Sequence, residues 1–276
     1  AGVASKAARR ARAGVNGGRA RWLMEKTMGV TSGREFPAFA TETCREWWER
    51  EGAAAGSRER ARENRKRRGD DVDADKKVAY FHGCYSNYNT PEVGKAMVRV
   101  YEHFGYEVVV PEQRCSGTPM FANGMLGDAR RHAEVNVSSM ADLVEEGYDA
   151  IASCTSCSMA LRQEYPELFD IEGIDEVAAH TFESVEYLRI HEDLRGAIGA
   201  AELDGGLEAE FAYHAPCHAR NQGLDRQAVE LFRELSGVDI EDVGDSCSGI
   251  SGTYGWKEEK YEKSMEIGAE MFEHME

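Results

Sequence analysis

The sequence predicts an α/β protein, with two pseudo-repeated parallel-sheet modules preceded by a helical N-terminal arm. Three observations lead there. From Lys76 onward, short β-like runs alternate with segments of helical period, the pattern of strands joined by crossover helices. Every cysteine except Cys44 lies in the turn after a predicted strand. Cys84 and Cys217 are 133 residues apart and Cys115 and Cys247 132, so two copies of one α/β module share a cysteine pattern.

Residues 1–50 read as helical, with a break over residues 29–37. Trp22, Leu23 and Met28 mark one apolar stripe there, and Phe36, Phe39, Trp47 and Trp48 another. The run over residues 53–75 has no large apolar side chain before Val72, which predicts a linker or a solvated helix. The first strand is expected over residues 78–81. Thr90 then caps a helix with Pro91 at its first position, and Val93, Met97, Val100 and Phe104 form its expected inner face. Gly105 stops it. A second strand over residues 108–110 leads to Cys115-Ser116-Gly117. The helix over residues 128–146 has Ala129, Ala133, Val137, Met140 and Val144 inward. A third strand over residues 150–153 runs into Cys154-Thr155-Ser156-Cys157.

The order then recurs. A strand over residues 211–214 leads to Cys217. A helix with Val229, Phe232 and Leu235 inward follows, then a strand over residues 238–243 and Cys247-Ser248-Gly249. The expected division is residues 1–52 as helical arm, 53–75 as charged linker, 76–205 as first module and 206–276 as a second module cut short at its C-terminal end.

Charge and composition narrow the functional classes. No stretch approaches the roughly 18 uninterrupted apolar residues of a spanning helix, and the leading residues lack the apolar core of a secretory signal. The net charge of −17 divides into +9 over residues 1–69 and −26 over the remainder. An acidic body repels phosphates, which argues against nucleic acid as a partner. Only nine of the 33 basic residues are Lys, and an acidic, Lys-poor surface suits a protein kept soluble in very high salt.

The seven cysteines are an odd number without a secretory signal, which disfavours a disulfide framework. In open α/β sheets the C-terminal strand ends converge on the binding crevice. Cys84, Cys115, Cys154 and Cys157 are therefore expected to meet there, four soft donors of the kind that select zinc, copper(I) or an iron–sulfur cluster. Only one pair is local in sequence, and the long arms suit a bulky cluster better than one small ion. Gly83, Gly117 and Gly249 allow backbone amides close to the sulfurs. Cys44, just before Trp47 and Trp48, reads as a buried apolar filler. His214 and His218 flank Cys217 and are candidates for iron ligation or for structural hydrogen bonding.

The phrases FHGCYSNYNTPEVGKA, VVVPEQRCSGTPMFANG, SCTSC, YHAPCHARNQG and CSGISGTYGWK resemble the cysteine-rich CCG domain of heterodisulfide-reductase-like iron–sulfur proteins. With LMEKTMGVTSGREFPAFATETCREWW, the second set is most similar to the C subunits of anaerobic glycerol-3-phosphate dehydrogenases. The resemblance covers nearly the whole chain. It implies [4Fe–4S] ligation, with Cys84, Cys115, Cys154 and Cys157 as the first set and Cys217 and Cys247 as part of a second. It implies an electron-transfer subunit of an oxidoreductase complex in anaerobic respiration. Electrons would come from a flavin-containing dehydrogenase partner and pass to menaquinone, at the cytoplasmic face of the cell membrane. The chain has no Gly-rich dinucleotide fingerprint, so substrate oxidation is expected in the partner and no catalytic residue is assigned.

Two departures from the family pattern matter. Ser116 and Ser248 stand where family members carry the second Cys of Cys-Cys-Gly, leaving four thiolates in the first copy, as an ordinary cubane requires. The second copy ends before any C-x-x-C, so the chain reads as an internal piece of a longer protein. The alternatives are a lactate-utilisation or heterodisulfide-reductase-type subunit and, in another class, a structural zinc or thiol-switch protein.

Overall fold

The structure is a computed structural model that describes residues 18–51, 53–194, 196, 209–233, 238–244 and 246–275. The first part of the predicted arm, the 205/206 module boundary and Leu235 lie outside the described residues. The chain divides into two compact units. One joins the described residues up to Trp22 to Glu35–Glu183; the other joins Leu23–Arg34 to the described part of Ser184–Glu276.

Helix α1 (Gly18–Met28) is the first element of the described residues, but its expected face is not inward. Trp22, Leu23 and Met28 are exposed, whereas Arg21 is buried with its guanidinium 4.2 Å from the centre of the Phe36 ring. A cation on an aromatic face retains a partner away from water, which the apolar period does not register. Helix α2 (Cys44–Arg50) starts at a capping box. The Thr43 hydroxyl accepts from the Glu46 amide, and the Glu46 carboxylate accepts from the Thr43 amide. It buries Cys44, Trp47 and Trp48.

The charged run is a packed helix, α3 (Ala53–Arg68), and not a free linker. Ser57, Ala61 and Arg65 recur every fourth residue and are buried. Small side chains let this helix lie close against its neighbours, so it orders without large apolar residues. The Ser57 hydroxyl accepts from the Val108 amide at 2.9 Å, and Arg60 grips Glu102 through two hydrogen bonds of 2.9 and 2.7 Å. Arg65 donates to the carbonyls of Gly105 and Val72.

Strand β1 (Lys77–Phe81) is followed by helices α4 (Gly83–Tyr88) and α5 (Pro91–His103), then strand β2 (Glu107–Val109). The short helix α6 (Thr118–Phe121) and the long helix α7 (Leu126–Glu145) lead to strand β3 (Asp149–Ala152). Next come α8 (Thr155–Met159), a π turn (Ala160–Glu164), α9 (Tyr165–Leu168), α10 (Ile174–Ala179) and strand β4 (Thr181–Glu183). All pairings are parallel, in the order β2-β1-β3-β4. β1 is central and buried from Val78 to Phe81, as expected of a strand covered on both faces. The chain leaves β1 for β2 on one side and then crosses to β3 on the other. That reversal puts a crevice at the carboxyl ends of the three strands, where the cysteines lie.

The predicted inner face of α7 is the observed one: Ala129, Ala133, Val137, Met140 and Val144 are all buried. That of α5 is rotated. Val93 and Val100 are exposed, Met97 is half-buried, and Gly94, Val98 and Tyr101 face inward with Phe104. Gly94 is the reason. The Cys44 sulfur fills the space where its Cβ would stand, with the Tyr80 ring behind, so this face alone can approach α2. Gly94→Ala is expected to cost about 1–3 kcal/mol by overpacking. Cys44→Ala in the same chain should restore part of that loss. Urea midpoints of the two variants check the contact, and a Gly94→Ala protein that melts like the parent would sink it.

In the second unit, strands β5 (Ala209–Tyr213) and β6 (Val238–Asp242) pair in parallel, with helices α12 (Cys217–Asn221) and α13 (Gln227–Arg233) between them in sequence. Helix α11 (Ser184–His191) precedes β5, and α14 (Tyr261–Met275) ends the described residues. Cys217 follows β5 as Cys84 follows β1, and Gly249 (φ +71°) matches Gly117 (φ +91°) after the next strand. The repeat read from the cysteine offsets is thus a repeat of structure. Residues 29–34 join this unit: Val30 bridges Lys257, and Arg34 donates to the Gly255 carbonyl and the Ser264 hydroxyl.

Candidate functional site

Three loops bring four thiols together. Gly83, at φ +64°, takes a backbone turn that L side chains rarely adopt, and a Cβ on it would lie 3.0 Å from the Cys157 sulfur. The loop after β1 therefore rests on the sulfur of the loop after β3. Gln113 ties the β2 loop to the same place, its side-chain oxygen accepting from the Gly83 amide at 3.3 Å and its nitrogen donating to the Tyr80 carbonyl at 3.2 Å. The Thr118 hydroxyl donates to the Ser156 carbonyl at 3.3 Å, joining the β2 and β3 loops. Beneath them the Tyr80 and Ser153 hydroxyls bond at 2.8 Å.

The thiols form two hydrogen-bonded pairs. Cys84 with Cys115 is one, and Cys154 with Cys157 the other. Cys84 is pushed up by its bond to Cys115 and by burial, and Cys157 likewise by its bond to Cys154 and by burial. Cys115 is pulled down by the Cys84 thiol and the Gly117 amide. Cys154, which caps α8, is pulled down by the Cys157 thiol and by the amides of Cys157 and Ser156. The pairs also feel each other, since Cys154 acts on both Cys84 and Cys115. Among the described residues no three His, Cys, Asp or Glu side chains stand as a ready-made site for a metal ion.

Ser116 is buried beside Cys157, where its side chain hydrogen-bonds that sulfur. A cavity of about 370 Å³ opens next to Cys84 and Cys115, lined also by His82, Gln113 and His132. Burial pulls His82 down to about 4, so its ring is neutral. Because Nδ1 lies 2.7 Å from the Gly83 carbonyl, which can only accept, the proton sits on Nδ1.

Sequence reasoning missed the supports. Asn136 is fully buried on α7, its oxygen accepting from the Arg114 amide at 2.7 Å and its nitrogen donating to the Tyr165 hydroxyl at 2.9 Å. The available signal was a lone amide beside the Ala133 and Val137 stripe. Gln113 and Tyr165 gave none, because their partners come from distant loops.

In the second set, Cys217 and Cys247 are both exposed. Cys217 receives Arg220 at 3.8 Å, and Cys247 the Gly249 amide at 3.4 Å. His214 bonds the Ser246 carbonyl at 2.7 Å, a structural role that ties together the loops after β5 and β6. Burial pulls His218 down. Cys44 is fully buried on α2, and burial pushes its thiol up to about 11, the behaviour of an inert filler.

Residues 78–162 and 211–276 match the CCG family, described as a cysteine-rich domain. The chain is 31% identical over 265 residues to the C subunit of anaerobic glycerol-3-phosphate dehydrogenase of Escherichia coli, covering 93% of this chain and 60% of that one. It thus spans less than two thirds of that relative's length. It is 30% identical over 201 residues to the B subunit of the CoM/CoB fumarate reductase of Methanothermobacter marburgensis, covering 71% of this chain and 37% of that one. Lactate utilization protein A of Halalkalibacterium halodurans is 26% identical over 185 residues, covering 66% of this chain and 73% of the relative.

Proposed function

The chain belongs to the CCG cysteine-rich domain family, and from that premise we propose that it is an iron–sulfur electron-transfer piece of an oxidoreductase complex. The observation that carries the reading is the meeting of Cys84, Cys115, Cys154 and Cys157 at the carboxyl ends of β1, β2 and β3. Four soft donors fit a [4Fe–4S] cubane by number and by chemistry. Two of them are already biased toward the thiolate that metal binding requires. Bound there, the cluster would supply a one-electron couple. The protein's part is to hold it through the four sulfurs, to direct the amides of Ser156, Cys157 and Gly117 at thiolate charge, and to keep water out with the core around Phe81 and Leu161. Ser116, an oxygen in place of a fifth sulfur, keeps the set at four.

The partner we propose is a flavin-containing dehydrogenase oxidising glycerol 3-phosphate, with menaquinone as the onward acceptor at the inner face of the cell membrane. The likeness to a dehydrogenase C subunit supports this, and among the described residues no helix is long and apolar enough to cross a membrane. Docking on a membrane-bound partner is therefore the proposed mode of attachment. Cys217 and Cys247 supply two thiolates toward a second site.

Anaerobic reconstitution tests the reading. Absorption near 400 nm that bleaches on reduction, with about four iron and four sulfide per first site, is expected. One zinc per chain with no sulfide would overturn it. Recovery of the native protein with lactate-oxidising proteins alone would overturn the choice of partner.

A further inference from the structure

Tyr165 is fully buried, yet its hydroxyl is only half satisfied. It accepts from Asn136 at 2.9 Å, and its own hydrogen has no acceptor among the described residues. Buried hydroxyls that give nothing away are costly and rare. The phenol lies within electrostatic reach of the Cys157 and Cys115 sulfurs. Its ring is fixed edge-on to Phe121, with centroids 6.4 Å apart, and leans on Phe169 at 6.1 Å. Asn136 also holds the amide of Arg114, the residue before Cys115, so one side chain sets both the phenol and the cysteine loop.

The backbone between Cys157 and Tyr165 is built for this placement. In a regular α-helix, eight residues at about 100° each leave two side chains about 80° apart around the axis. The π turn Ala160–Glu164, closed by the bond from the Tyr165 amide to the Ala160 carbonyl, takes up one extra residue. The offset then falls to about 20°, and Tyr165 shares a face with Cys157. Pro166 favours the wider turn, because its ring would strike the Arg162 carbonyl in an unbroken helix.

We infer that Tyr165 is a positioning residue that donates its phenolic hydrogen bond to a sulfur of the cluster held by Cys115 and Cys157, and so raises its reduction potential. The inference rests on the cluster reading above. A donor to sulfur stabilises the reduced, more negative state, and such bonds are among the protein's controls on cluster potential.

The test is Tyr165→Phe, which keeps the ring and removes only the hydroxyl, compared with the parent chain after identical reconstitution. With equal iron and sulfide loading, the midpoint is expected to fall by roughly the equivalent of a tenfold change in the oxidised-to-reduced ratio, about 59 mV for one electron. Equal loading with an unmoved midpoint overturns the role of Tyr165 and leaves the cluster reading standing. If neither protein binds iron and sulfide, the cluster reading fails and this inference with it. If only the variant fails to load, Tyr165 is needed to build the site and not to tune it, and the inference is overturned.

Discussion

Cys154→Ser is expected to lower bound iron and sulfide at the first site at least tenfold and to remove the absorption near 400 nm. The turn that presents Cys154 does not depend on its sulfur. Its carbonyl accepts from the Cys157 and Ser158 amides at 2.8 and 3.0 Å, and both bonds survive in the variant. What is lost is a soft donor biased toward the thiolate by the Cys157 thiol and by two amides. A hydroxyl gives iron a harder and far less acidic ligand. The far-ultraviolet circular dichroism should therefore stay that of the parent while the visible spectrum disappears. Cys44→Ala is the control: that sulfur packs on Gly94, outside the four-thiol group, and its removal should leave iron content unchanged. A Cys154→Ser protein that kept full iron and sulfide would remove Cys154 from the ligand set.

The approach of Cys84, Cys115, Cys154 and Cys157 was legible because they lie after three strands, and parallel strands bring their carboxyl ends together. Helix α7 was legible because Ala, Val and Met repeat cleanly along one face. Helix α5 was not, because its true contact face turns on Gly94, which an apolar count ignores, and on Tyr101, which it scores weakly. The exposed Trp22 and the buried Arg21 invert the usual rule for the same reason: the partner is an aromatic ring fifteen positions away, not a period in the helix. Asn136, Gln113 and Tyr165 stayed hidden because each acts on a loop remote in sequence. Candidate ligands can be read from residue type and spacing, whereas the side chains that tie their loops together depend on tertiary contact.

Helix α3 supplies the sharpest case, and the second large effect. Arg60→Ala is expected to destabilise the first unit by about 2–3 kcal/mol, because it strands the buried Glu102 carboxylate without its cation. The figure is below the usual cost of breaking a buried pair, since the Arg60 side chain is 42% exposed and partly screened. In a unit of this size that corresponds to a melting temperature lower by about 5–10 °C. Arg60→Lys keeps the charge but not the planar fork that meets both carboxylate oxygens, so it should lose about 1 kcal/mol. A free charged linker would show neither loss, and an Arg60→Ala protein within about 0.5 kcal/mol of the parent would return residues 53–68 to that description. The consequence reaches the thiols. Ser57, on this helix, accepts from Val108 at the edge strand, and that strand leads into the loop of Cys115. Loosening α3 frees the strand edge, so the Arg60→Ala protein should also release iron to a chelator faster than Arg60→Lys, with no change made to any sulfur.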